Sequence, residues 1–224
     1  LMNKKIPQTY DVKTKLLDFR PVFRNRAAMG YILTYFVHSW ELFALRSWLV
    51  SFLVYSLTLQ GNTDNLILPT VVATLSALVA MFASIGGNEI ADRYGSRRML
   101  IIFLYSSGTL ALVIGFLAAL PYWVVVSLVI LYAGLIQLDS AVLTAGTVLT
   151  AEKGRRGATL GVHALIGFGG GALGPLAVGM VLDVSGGGTS LVSWGLGFAS
   201  MGLVAFLGPV ALWRLRDNIN SEIK

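Results

Sequence analysis

Six apolar runs, each of about 20 residues or more, divide this chain of 224 residues and leave little room for a water-soluble fold. As a helix, such a run crosses about 30 Å of hydrocarbon while satisfying its own backbone polar groups. Charged residues are 12% of the chain, against about 25% in soluble domains. The pattern predicts an all-α membrane protein with spans at about 27–57, 66–85, 100–120, 122–150, 158–182 and 191–213. Residues 1–24 form a polar, basic arm with an expected interfacial helix around residues 10–19, and residues 214–224 a short tail. The arm lacks the apolar stretch of a signal peptide.

The charges are arranged by side. Of the 17 Lys and Arg, all but Arg46 fall in the tails and loops on one side of this layout. The positive-inside rule then places both termini in the cytoplasm, with a bacterial inner membrane as the expected location. The net charge of +6 reports topology and not a nucleic-acid partner. With no cysteine and two histidines on different spans, the chain offers no disulfide, no thiol nucleophile and no metal cluster. No cofactor and no enzymatic activity are expected.

The first span sets ionisable groups inside an apolar run, Tyr31 to Phe52. His38, Glu41 and Arg46 lie near its middle, where an exposed Glu or Arg costs about 2.5–3.5 kcal/mol. At about 100° per residue, Tyr31, Tyr35, His38, Glu41 and Arg46 share one sector about 140° wide. That face is expected to line a cavity or to make polar contacts with packed helices. Glu41 and Arg46 are five apart, poorly placed to pair with each other, so each calls for a partner elsewhere. The fourth span carries Gln137 and Asp139 near its middle, and a central aspartate is costly unless protonated or paired. His163, near the end of the fifth span, reads as a packing or interfacial histidine within reach of water. Charged groups at depth thus lie on the first span of each half of three. Two three-helix repeats would give this pattern if first helices lined a cavity and third helices faced lipid.

Two stretches carry further information. The segment Asn88-Glu-Ile-Ala-Asp92-Arg93-Tyr-Gly95-Ser-Arg97-Arg98 reads as a charged loop turning at Gly95, with Asp92 poised to accept hydrogen bonds and Arg97 and Arg98 at headgroup level. In the fifth span, Gly169, Gly171 and Gly174 formally satisfy G-x-G-x-x-G, but no strand precedes them, so a dinucleotide site is rejected. Gly167/Gly171 and Gly170/Gly174 instead form small-xxx-small pairs for close helix packing, and Pro175 permits a kink.

The segment 88–98 resembles the signature loop of the major facilitator superfamily, G-x-L-A-D-R-x-G-R-R, with Ala91, Asp92, Arg93, Gly95 and Arg97 matching. Asn88 and Ser96 depart from it. The stretch Gly167 to Gly179 is similar, more loosely, to the glycine-proline motif of antiporter-type members. The resemblance covers most of residues 25–213 and implies one six-helix bundle of a twelve-helix architecture, the C-terminal half. It implies secondary active transport of a small solute by alternating access, with Asp92, Arg93, Gly95, Arg97 and Arg98 as a gating loop. The expected partners are lipid and a second bundle, from another copy or another polypeptide. Glu41 and Asp139 are the expected proton or cation ligands, and Arg46 is expected to hold an anionic group or Glu41. Tyr31, Tyr35, His38 and Gln137 complete the substrate and ion site. The alternative is a non-transporting scaffold subunit of a membrane complex.

Overall fold

The computed structural model of the protein describes residues 18–61 and 67–215. Most of the basic arm with its expected interfacial helix, the turn at 62–66 and the tail beyond Leu215 lie outside the described residues. Within them the protein is entirely helical. A short helix α1 (Arg20–Arg24) leads into the first span, α2 (Arg26–Leu59), whose start is capped by the Asn25 side chain accepting from Ala28 N. The second span is α3 (Pro69–Tyr94), with proline at its first position, and the third is α4 (Ser96–Ile114), ending in a 3₁₀ turn at Gly115–Leu117. The fourth is divided into α5 (Tyr122–Gln137) and α6 (Ser140–Thr150). The fifth is α7 (Arg156–Val184), and the sixth is divided into α8 (Leu191–Ala205) and α9 (Leu207–Arg214). All six are long and apolar enough to cross a membrane.

The expected charged loop at 88–98 is a correction. No glycine or proline interrupts 88–94, so α3 continues to Tyr94 and carries Asp92 and Arg93 in its last turn. Gly95 alone separates the two helices, at φ +95°, a conformation that side chains resist. Two spans predicted as continuous are each interrupted over one or two residues whose backbone stays in the helical region. Pro209 has no N–H for the Ala205 carbonyl, which ends α8. No proline explains the break at Leu138–Asp139.

The helices pack with an internal symmetry. Each half's second span lies along the first span of the other half: α7 on α2, and α3 on α5 and α6. The third spans, α4 and α8, pack on each other. Exchanging the halves preserves this scheme, and three helices per half invert the second half relative to the first. Glycines permit the close approaches. An added Cβ at Gly170 or Gly174 would collide with the Phe36 or Trp40 carbonyl oxygen of α2. On the other side, Gly87 of α3 meets the Leu138 backbone at the fourth-span break. Gly167 and Gly171 make room for the rings of Tyr35 and Phe43. Pro175 stays within an unbroken α7, and its carbonyl accepts from Trp48 Nε1 at 3.0 Å.

The second spans, α3 and α7, are the most exposed, and the third and sixth spans are more buried. Each second helix packs mainly along one first-type span of the other half, which leaves its far side uncovered.

Candidate functional site

Apart from a small buried apolar cluster of Val22, Ile32 and Val162, two larger ones lie on either side of a polar layer. One contains Phe52, Tyr132, Trp194 and Phe198, with the Phe52 and Phe198 rings 4.6 Å apart. The other, toward the end carrying Arg26 and Arg214, contains Met99, Leu100, Phe103, Leu104 and Leu143. His38 and Glu41 of α2 and Asp139 of the fourth span lie between them, each at most 3% exposed.

Glu41 is held at both oxygens. Tyr132 Oη donates to Oε1 at 2.8 Å and Ser107 Oγ to Oε2 at 3.0 Å. Beside it, His38 Nδ1 and Asp139 Oδ1 meet at 2.6 Å, a close contact off the line of a regular hydrogen bond and an ion pair when His38 is protonated. Asp139 occupies the N-cap position of α6 without capping it, so its carboxyl is left for His38. The helix break and the polar layer therefore belong together.

An aromatic stack extends the layer. Tyr35 lies between two imidazoles, with centroids 5.4 Å from His38 and 3.9 Å from His163. His163 Nδ1 is 3.1 Å from Thr147 Oγ1. The histidine expected within reach of water is thus buried, because Tyr35 and Thr147 enclose it. Tyr31 packs its ring on Gly146.

The remaining candidates stand apart. Arg46 is exposed, with its Cζ 5.8 Å from the centre of the Phe43 ring, and it does not hold Glu41. The five-residue separation turns it away, and Tyr132 and Ser107 take its place. Gln137 is half-buried, and its Oε1 has no partner among the described residues. The face expected to be polar as a unit is thus divided, with His38 and Glu41 inside the bundle and Arg46 outside it. Tyr132 lies seven residues before Asp139, so it shares a helical face with it and was detectable from spacing. Ser107 lies in an uncharged span and carried no such signal.

At the basic end, side chains tie helices to one another. Arg97 donates to the Leu212 carbonyl, Arg26 Nη2 to that of Arg214 at 2.9 Å, and Asn25 Nδ2 to that of Thr150 at 2.8 Å. Asp92 accepts from Asn88 Nδ2 at 3.3 Å, within its own helix. Arg93 and Arg98 are exposed.

Comparison with known proteins matches no family model. One similar curated protein is an uncharacterized MFS-type transporter, YfnC, of Bacillus subtilis, 29% identical over 132 residues. The match covers 58% of this chain and 31% of that protein, so the chain corresponds to well under two thirds of its relative's length. Six membrane-length helices and this distant similarity make the chain an integral membrane protein with a transporter among its relatives.

Proposed function

We propose that this chain is one half of a secondary active transporter, pairing with a second six-helix bundle and moving a small solute by alternating access with proton coupling. The observation that carries this reading is the buried His38–Asp139 pair beside Glu41, at the crossing of the first and fourth spans and at a helix break. Ionisable groups at that depth are expensive, and a mobile proton is one use that offsets the cost. A carboxylate at an interruption of a span's hydrogen-bond ladder is compatible with an ion site at depth. The exposed apolar faces of α3 and α7 support pairing with a second bundle, and a second copy in the cytoplasmic membrane of a bacterium is the simplest candidate. No enzymatic role is proposed.

A scaffold role has one observation in its favour: Glu41 is already satisfied within its own bundle. Proteoliposomes containing a trapped pH dye separate the two readings. Under the transport reading, external solute from a panel moves protons, and Glu41→Gln and Asp139→Asn each reduce the flux at least about 100-fold with native mass in nanodiscs unchanged. Absence of flux from a dimeric, folded protein across the panel would favour the scaffold.

A further inference from the structure

Arg46 is the ionisable residue in the first span that the polar layer does not use. It lies about 5 Å along α2 from the helix centre, toward the Leu59 end. It projects at a cleft among α2, α3 and α5, lined by Leu42, Leu45, Leu49, Ser76, Ala77 and Ala133 among others. Among the described residues no carboxylate comes within ion-pair distance of it. The second observation is Ser76, 3% exposed, which lines the same cleft with its hydroxyl oxygen unpartnered. A guanidinium and a buried, unpartnered hydroxyl therefore line the same small, mostly apolar cleft.

We propose that this cleft binds the oxyanion group of a small organic anion, with Arg46 as the charge partner, Ser76 as a second donor and the leucines of α2 against the anion's apolar body. An exposed guanidinium so near the midplane is costly against lipid tails, so the α2–α3 face opens to water or to the second bundle. Arginine's planar fork suits a carboxylate or phosphate. With α2 centred on the bilayer, lipid headgroups would begin about 15 Å from the midplane, beyond Arg46, which favours a solute as the anion. The proposal names the substrate class for the transport reading and rests on it for the direction of travel, but binding itself requires no flux.

The test is equilibrium binding to the full chain in nanodiscs of neutral phosphatidylcholine, followed by tryptophan fluorescence. Pyruvate, butyrate and inorganic phosphate are the probes, with choline and glucose as controls. The expected result is saturable binding of at least one anion and of neither control. Arg46→Gln should weaken that binding at least about 30-fold and Ser76→Ala about 3–10-fold. Ala77→Leu, which fills the cleft without touching the charge, should also abolish it. Saturable, Arg46-dependent binding by a chain that moves no protons in proteoliposomes would leave this proposal standing and count against the transport reading, which separates the two failures. Binding that appears only in phosphatidylglycerol nanodiscs would overturn the proposal in favour of a lipid. Absence of saturable binding, binding indifferent to Arg46→Gln, or an Arg46→Gln variant that loses dimer mass instead would each overturn it as well, the last in favour of a carboxylate on the second bundle.

Discussion

At the residue scale, Tyr132, Ser107, His38 and Asp139 share one task, which is to keep polar groups satisfied where water cannot reach. Leaving a buried acceptor unpaired costs about 1–3 kcal/mol, more when the group is charged. Tyr132→Phe removes the donor to Glu41 Oε1 and keeps the ring that packs on Phe198 at 6.3 Å. It should lower stability by about 1–3 kcal/mol, read as a lower midpoint of unfolding in detergent micelles. Asp139→Ala leaves His38 without its ion-pair partner and should cost more, about 3–5 kcal/mol. In a double-mutant cycle, His38→Ala with Asp139→Ala should recover part of that loss, with a coupling of about 0.5–3 kcal/mol. Strictly additive losses would show that the 2.6 Å contact carries no coupling.

At the element scale, the contact between α2 and α7 depends on glycine. Apolar helices have no hydrophobic reason to leave lipid for each other, so close packing and hydrogen bonds must hold them together. Gly170 and Gly174 face backbone carbonyls of α2, which cannot move aside as a side chain can. Gly174→Val should therefore destabilise the bundle by about 2–4 kcal/mol, in the range of severe overpacking. Gly161→Ala, on the same helix with open space around its Cβ, should be neutral or slightly stabilising. Thermal unfolding of the two variants side by side checks the difference. Equal effects would mean that helix propensity and not proximity governs α7.

At the scale of the whole molecule, orientation is open to direct measurement, because the chain has no cysteine to interfere with thiol labelling. Lys153 lies at the basic end and Thr189 at the other. In intact cells, a membrane-impermeant thiol reagent should label Thr189→Cys and spare Lys153→Cys, with both labelled in broken cells. The reverse pattern would overturn the cytoplasmic placement of the termini.

The same residues show what each level of information decides. Apolar run length and the exclusion of charge from those runs determined six helices, because hydrocarbon tolerates little else. The cost of charge at depth singled out His38, Glu41, Arg46 and Asp139 before any coordinates. Glycine spacing in the fifth span foretold a close helix contact, since only glycine lets backbones approach to that degree. Pairing was not legible. One span's periodicity reports which residues share a face, but not which neighbour covers that face or which donor that neighbour brings. Thus only the tertiary structure divided His38 and Glu41 from Arg46, supplied Ser107 and Tyr132 to Glu41, and carried α3 through the motif to Gly95. It also broke the fourth span at Asp139, where Gly87 of another helix presses on the backbone and His38 waits for the carboxylate, a meeting of three helices that no single span encodes.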